Sequence, residues 1–396
     1  MAKASFQSFF MGGFECSTHR LRSGRRLDLI ASTGHDQHAT ADYARLKESA
    51  LLTARDGIRW HLIERAPGQY DFSSALNLLH AARRSGVQVI WDLCHYGWPD
   101  WLDIFSPGFV DSLARLAASF TRLLVDETGE VPFICPINEI SFFAWASGDE
   151  ALFYPYARGR GNELKRQLVR AAIAATASVW DVCPQARIIH TDPAINVIAD
   201  PLKPRDANAA ESYRLAQYAG WDMLGGRLAP ELGGAEKYLD IIGINYYPHN
   251  QWIYPERTMI PLSDPLYRPL RSILREVHER YGRMMFIAET GIEGEARPGW
   301  LRYVCYEVCA AIREGVPIEG ICLYPAVNHP GWEDDRHCHN GLWDYAGTDG
   351  QREIFEPLAS ELRRQQRFFA GLRSEKGQHA KGARLEPSGR SSVTAP

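Results

Sequence analysis

The chain has 396 residues, 45% hydrophobic and 23% charged, a globular composition with enough apolar material for a sizeable core and not that of a disordered protein. Its formal net charge is −4 with lysine and arginine scattered along it, which excludes a basic footprint for nucleic acid and makes an acidic membrane surface an unsuitable partner. Eight cysteines include no CxxC pair, the N-terminus has no charged region leading into a long apolar stretch, and nothing resembles a membrane span; a cytoplasmic protein with reduced cysteines is expected.

In chain order, short apolar runs alternate with longer amphipathic ones, the pattern of repeated βα units. The run 6–14 predicts a first strand, followed by a helix over 41–54. "GIRWHLI" (57–63) predicts the second strand, with a helix over 73–85 closed by Gly86. The third strand is expected at 87–93 with a helix over 109–126, and the fourth at 131–138 with a helix over 163–182. Strands at 186–192, 239–245, 283–289 and 318–325 complete the series, with helices over 207–224, 269–281, 300–314 and 353–369.

Eight strands and eight helices in strict alternation predict a single (β/α)₈ barrel. No linker divides it, so one domain is expected over residues 1–372. The polar, aperiodic stretch 373–396 reads as a disordered C-terminal tail.

In such a barrel the active site lies at the C-terminal ends of the strands. The polar residues falling there are Arg59 on strand two, His95, Tyr96, Trp98 and Trp101 after strand three, and Asn138 and Glu139 on strand four. Strand five offers His190 and Asp192, strand six Asn245, Tyr246 and Tyr247, and strand seven Glu289. Two glutamates ending strands four and seven face each other across the mouth as a carboxylate pair. Retaining glycosidases hold such a pair about 5–5.5 Å apart, one residue serving as acid and then base, the other as nucleophile. Aromatic residues at the mouth would supply faces for sugar rings.

These stretches resemble glycoside hydrolase family 1. "CPINEI" is similar to its Thr-Phe-Asn-Glu-Pro signature, "FIAETG" to Ile-Thr-Glu-Asn-Gly, and "LDIIGINYYPH" to Asp-Phe-Ile-Gly-Ile-Asn-Tyr-Tyr. "FFMGGFECS", "LCHYGWPDWL" and "YPAVNHPGWEDD...NGLWDY" resemble its opening strand, its His-Trp-Asp-x-Pro turn and its closing loop, in the family's order from residue 6 to about residue 345. The resemblance implies Glu139 as acid/base, Glu289 as nucleophile, and Asn138 as the ligand of the sugar 2-hydroxyl. It further implies that Arg59 and Tyr247 orient Glu289 and favour its ionised form, that His95 and Trp332 line the sugar site, and that Asn245 binds substrate beside them. Glu139, among apolar neighbours, would keep a raised pKa and stay protonated.

The family's strand-one Gln is replaced here by Glu15 or Cys16, and Gly331 stands where a Glu usually precedes the late Trp. Glu333 is the residue available to take over that role, and the glycone stays open. The chain is also shorter than typical members, which implies trimmed loops.

The sequence therefore predicts a retaining β-glycosidase, β-glucosidase-like, acting on a small-molecule or oligosaccharide glycoside without cofactor or metal. A non-catalytic sugar-binding barrel and a retaining transglycosidase are the alternatives. The histidines of "NHPGWEDDRHCHN" match no zinc spacing. Linkage, aglycone and oligomeric state are not readable from these residues.

Overall fold

The computed structural model describes residues 6–332 and 334–382. Eight parallel strands close into one barrel: β1 Phe10–Gly13, β2 Thr53–Gly57, β3 Gln88–Asp92, β4 Phe133–Cys135, β5 Arg187–Pro193, β6 Ile241–Asn245, β7 Met284–Thr290 and β8 Ile318–Leu323. Each pairs with its sequence neighbours, and β1 closes the ring against β8. Outside lie α1 His35–Glu48, α2 Ser73–Ser85, α3 Pro107–Thr128 and α4 Gly161–Val182, then α5 Ala207–Leu215 and α6 Ala219–Leu224. α7 Leu270–Tyr281, α8 Arg297–Arg313 and α9 Glu356–Gly382 complete the layer. Among the described residues no helix is long and apolar enough to cross a membrane.

Alternation along the strands divides the barrel interior into two zones. Toward the strand N-termini, Met11, Ile90, Phe133, Ile189, Ile241 and Phe286 pack into a closed apolar plug. Phe6 seals it from below, its ring 5.7 Å from Phe133 and 5.1 Å from Phe286. Toward the strand C-termini the inward positions turn polar, with Arg55, Asp92, Asn245 and Glu289, all buried. The plug supplies hydrophobic stability, and the polar zone is left to hold charge. Between them the wall is tight: a Cβ on Gly243 would come within 2.6 Å of Thr191 and 2.8 Å of Ala288, so glycine alone fits.

The second strand differs from the sequence expectation. β2 is "TARDG", and residues 58–63 form a short connection and a one-turn helix, Trp60–Ile63, with Ile58, Trp60 and Ile63 buried. The apolar run that suggests a strand packs instead beneath the outer helices. The true strand carries two adjacent charges because Arg55 faces into the barrel and Asp56 faces α1, so apolar content could not reveal it. The preceding helix accordingly spans His35–Glu48 rather than 41–54. The helix expected over 207–224 is divided by a 3₁₀ turn at Ala216–Tyr218.

The final helix runs through Gly382, past the expected domain end at 372, and Phe369 returns to stack on Phe9 with ring centroids 4.6 Å apart. The rest of the expected tail, 383–396, lies outside the described residues.

A buried ion network joins α1 and β2 to the closing segment of the chain. His35 sits between Asp42 (2.9 Å) and Asp56 (3.1 Å), Tyr43 donates to Asp56 (2.7 Å), and Arg352 from the chain's closing segment pairs with Asp42 (2.7 Å). Burial opposes a charge on His35, but Asp56 and Asp42 outweigh it and push its pKa up to about 9. This raised value means the folded chain binds the proton more tightly, so its stabilising effect is complete below pH 6.5 and fades as pH rises through about 9. Removing one member of a buried ion network strands its partners: Asp42→Ala should lower the unfolding free energy by about 3–5 kcal/mol in urea titrations at neutral pH. A loss under about 1 kcal/mol would show that the network contributes little.

Candidate active site

Beyond Cys135 the chain leaves β4 through Pro136, Ile137 and Asn138 and reaches Glu139 in the left-handed region, at φ 49° and ψ 60°. Tyr96, after β3, is also left-handed at φ 63°. Such conformations cost about 1–2 kcal/mol for a non-glycine residue, and these two meet: the Tyr96 hydroxyl donates to Glu139 Oε2. Glu139 Oε1 accepts from Asn245 Nδ2 at 2.8 Å, and the Glu139 backbone N–H donates to Thr191 O at 3.1 Å. Asp192 supports the next turn from behind, accepting the Ser141 backbone N–H at 3.0 Å. Burial pushes its carboxyl up to about 7, against the pull of the Ser141 donors and Lys165.

Glu289 arrives on β7 beside a register break against β6 between Ile287 and Glu289, which turns both Ala288 and Glu289 toward the interior. Its Oε1 accepts from Arg55 Nη1 and its Oε2 from the Tyr247 hydroxyl, each at 2.8 Å. The fully buried Arg55 also donates to the Ala288 carbonyl (3.1 Å), Asp92 Oδ2 (2.5 Å) and Asn138 Oδ1 (3.1 Å), and lies 5.3 Å over the Tyr324 ring.

This corrects the expectation for Arg59. Because β2 begins four residues earlier than the apolar pattern suggests, the inward arginine is Arg55. Arg59 follows the strand and pairs with Asp36 (2.9 Å) and Asp28 (3.4 Å), away from Glu289.

A second set of contacts forms the floor. Asn138 Oδ1 accepts from Thr191 Oγ1 (2.6 Å) as well as Arg55, which turns its amide nitrogen toward His95 Nε2 (3.0 Å) and the Tyr96 hydroxyl (3.1 Å). His95 Nδ1 meets Asp92 at 2.9 Å. Burial disfavours a charged His95, but its hydrogen bond to Asp92 and the nearby Glu15 raise the ring's pKa. Glu15 is buried 3.8 Å from His95 Nε2. Burial raises its carboxyl, and His95, His329 and the Ser17 donors more than reverse that, leaving it below the ordinary value. Trp332 adds an aromatic wall against His19 (4.6 Å), Tyr96 (5.6 Å) and Phe153 (6.3 Å). Glu333 lies outside the described residues.

Glu139, Glu289, His95, Asn138, Asn245 and Tyr247 thus share one hydrogen-bonded mouth. Sequence reasoning placed Tyr96 at the mouth without a role and did not assign Arg55, Asp92 or Thr191 to it. Thr191 had a usable signal, since its neighbours His190 and Asp192 must face the helices if Ile189 faces the plug. His190 is buried there, and burial lowers its pKa to about 4.

The two carboxylates differ in their electrostatics. Burial and then the charge of Glu289 drive Glu139 up to about 8, only partly offset by Tyr96 and Asn245. Glu289 instead accepts from a cation. A protonated acid and an anionic carboxylate at one mouth can respectively give a proton and attack an electrophilic carbon.

Two groups bring metal-ligand types together among the described residues: Cys16, Asp92 and His95 at the floor, and His337, His339 and Asp344 on the closing loop. At the floor the Arg55 guanidinium already occupies Asp92 Oδ2 and would repel a cation.

The fold is similar to that of the family 1 b-glucosidase from Thermotoga maritima, with a TM-score of 0.73 at 15% identity over 90% of this chain and 97% of that one. It is similar also to the β-glycosidase from Pyrococcus horikoshii, with a TM-score of 0.72 at 15% identity over 90% of this chain and 93% of that one. The AHE enzyme from Alicyclobacillus herbarius gives 0.71 at 16% identity over 84% and 88%. At these identities the likeness establishes a shared fold. No family model matches the sequence, and no curated protein matches it.

The Tyr96 hydroxyl favours the ionised form of Glu139 by donating to it. Tyr96→Phe should therefore raise the Glu139 pKa further, read as an upward shift of its carboxyl titration by carbon NMR or infrared difference spectroscopy. An unchanged or lower midpoint would remove Tyr96 from this role.

Proposed function

We propose that the chain is a retaining β-glycosidase related to glycoside hydrolase family 1, acting on a β-glucoside-like or related small glycoside. The observation that carries this reading is the unequal electrostatic surroundings of the pair: Glu139 is buried among neutral donors, while Glu289 accepts from the Arg55 guanidinium and the Tyr247 hydroxyl. The β-glucosidase and β-glycosidase descriptions of the neighbouring structures support it.

In the first step the Glu289 carboxylate attacks the anomeric carbon as Glu139 protonates the departing glycosidic oxygen, leaving a glycosyl ester on Glu289. Glu139, now ionised, takes a proton from water as the water oxygen attacks the same carbon, and the ester bond breaks to return the Glu289 carboxylate. Arg55 and Tyr247 hold that carboxylate in place through both steps. Asn138, its oxygen saturated by Arg55 and Thr191, presents an amide nitrogen toward the floor, suited to a sugar hydroxyl. Trp332 offers a face for ring stacking.

Glu289→Gln should abolish turnover of activated aryl glycosides, and a 2-deoxy-2-fluoro glycoside with a good leaving group should leave a mass adduct on Glu289. Glu139→Ala should lose about 10²–10⁴-fold on poor leaving groups and far less on good ones. Equal losses across leaving groups would overturn the acid assignment. Since Glu139 must carry the first proton, kcat/KM should fall as pH rises through about 8, and this basic limb should vanish in Glu139→Gln assayed with activated substrates. Arg55→Lys keeps the charge but loses the planar fork that spans Glu289, Asp92 and Asn138. It should cut kcat far more than Arg59→Lys, and the reverse order would overturn the placement of Arg55.

A further inference from the structure

Glu15 leaves β1 at the mouth of the barrel and is 8% exposed. The Ser17 backbone N–H (2.9 Å) and the Ser17 hydroxyl both donate to its Oε1, an arrangement suited to a carboxylate. Among the described residues its Oε2 meets no donor. The imidazoles beside it are engaged elsewhere: His95 Nε2 faces the Asn138 amide at 3.0 Å, and His329 is held by the Pro330 carbonyl (2.8 Å) and Asn340 (3.0 Å). Through His95, 3.8 Å away, Glu15 borders the Asn138 and Tyr96 contacts that hold Glu139, so it lies at the same mouth.

His95 lies on the Oε1 side of Glu15 at 3.8 Å, and a nine-tenths buried carboxylate whose other oxygen has no donor is costly unless something else supplies one. The floor deepens the imbalance. Even with His95 protonated, Arg55 and His95 sit among three carboxylates, Glu15, Asp92 and Glu289, and both terminal nitrogens of Arg55 are already taken by Asp92, Asn138, Glu289 and the Ala288 carbonyl.

We infer that the glycone subsite takes an amino sugar, a β-glycoside whose ring carries a protonated amine that pairs with Glu15 Oε2. An ammonium supplies both what Oε2 lacks, a donor and a positive charge, while a hydroxyl supplies only the donor. A neutral acetamide would leave the charge uncompensated, and an anionic sugar would be repelled. The substrate class rests on the glycosidase reading above; the recognition of the amine by Glu15 does not require turnover.

Calorimetric titration separates the two. Methyl β-glucoside and its 2-, 3-, 4- and 6-amino-deoxy analogues are compared on the wild type and on Glu15→Gln at about pH 6, where the amines are charged. At least one amino glycoside should bind the wild type about tenfold or more tightly than the neutral glycoside, and Glu15→Gln should erase that preference. Glu15→Asp, which keeps the charge and shortens the reach, should retain part of it and decides the matter if the Gln variant does not fold. No amine preference in the wild type, or a preference that survives in Glu15→Gln, overturns the proposal. In parallel, kcat/KM is measured for the 4-nitrophenyl glucoside, the preferred amino glycoside and its N-acetyl derivative. Turnover of the neutral glucoside with no amine preference defeats this inference and leaves the glycosidase reading intact, whereas amine-selective binding without turnover of any glycoside does the opposite.

Discussion

The mouth of this barrel is organised around one buried guanidinium. Arg55 has no access to water, and its two terminal nitrogens are shared among Asp92, Asn138, Glu289 and the Ala288 carbonyl. A buried cation is tolerated where anions and carbonyls surround it, and those anions are tolerated because of the cation. Four strands are thereby tied together at the level where the chemistry is to occur. The plug of Phe133, Phe286 and their neighbours beneath it provides the apolar burial that offsets this polar layer.

From Arg55 the order spreads outward through single hydrogen bonds. Asn138, its oxygen taken by Arg55 and Thr191, must turn its nitrogen to His95 and Tyr96, and Tyr96 in turn holds Glu139. Asp92 plays the matching part on the other side, bridging Arg55 and His95. Two left-handed residues, Tyr96 and Glu139, persist because this network determines their positions more strongly than local backbone preference does. The short helix and π-helical turn after Glu139, Ile140–Phe143 and Ala144–Asp149, carry the chain away while Asp192 caps its first turn. Glu15 stands at the edge of this network, held on one oxygen and open on the other, which is why it bears on what the cavity accepts.

Much of this was legible in the linear chain where burial and polarity alternate cleanly. Seven of the eight strands match the apolar runs that predict them, five lying within the run and two extending one residue past it, and the glutamates that end two of those runs meet at one mouth, because a charge that interrupts an apolar strand is costly without a purpose. The eighth strand, "TARDG", was not legible. A strand whose inward residue is the buried arginine and whose outward residue is an aspartate bound to His35 and Tyr43 has no apolar signature at all. The nearby run "GIRWHLI" has one, and it is spent on packing beneath the helices. The four-residue difference moved the expected arginine from 55 to 59. Thr191 was hidden by a subtler effect: the conspicuous residues His190 and Asp192 flank it, but the pleat points both of them at the helices.

The sequence by itself determined the repeating βα pattern, hence the barrel, and the presence of a carboxylate at the ends of two particular strands, because hydrophobic periodicity and strand alternation are local properties of a chain. Tertiary structure decided which arginine faces Glu289, which tyrosine holds Glu139, and that, among the described residues, Glu15 has an oxygen without a partner. Those outcomes depend on barrel closure and on the register between strands far apart in sequence, and the physical terms that fix them, burial and the distance between charges, take values only when the chain is folded.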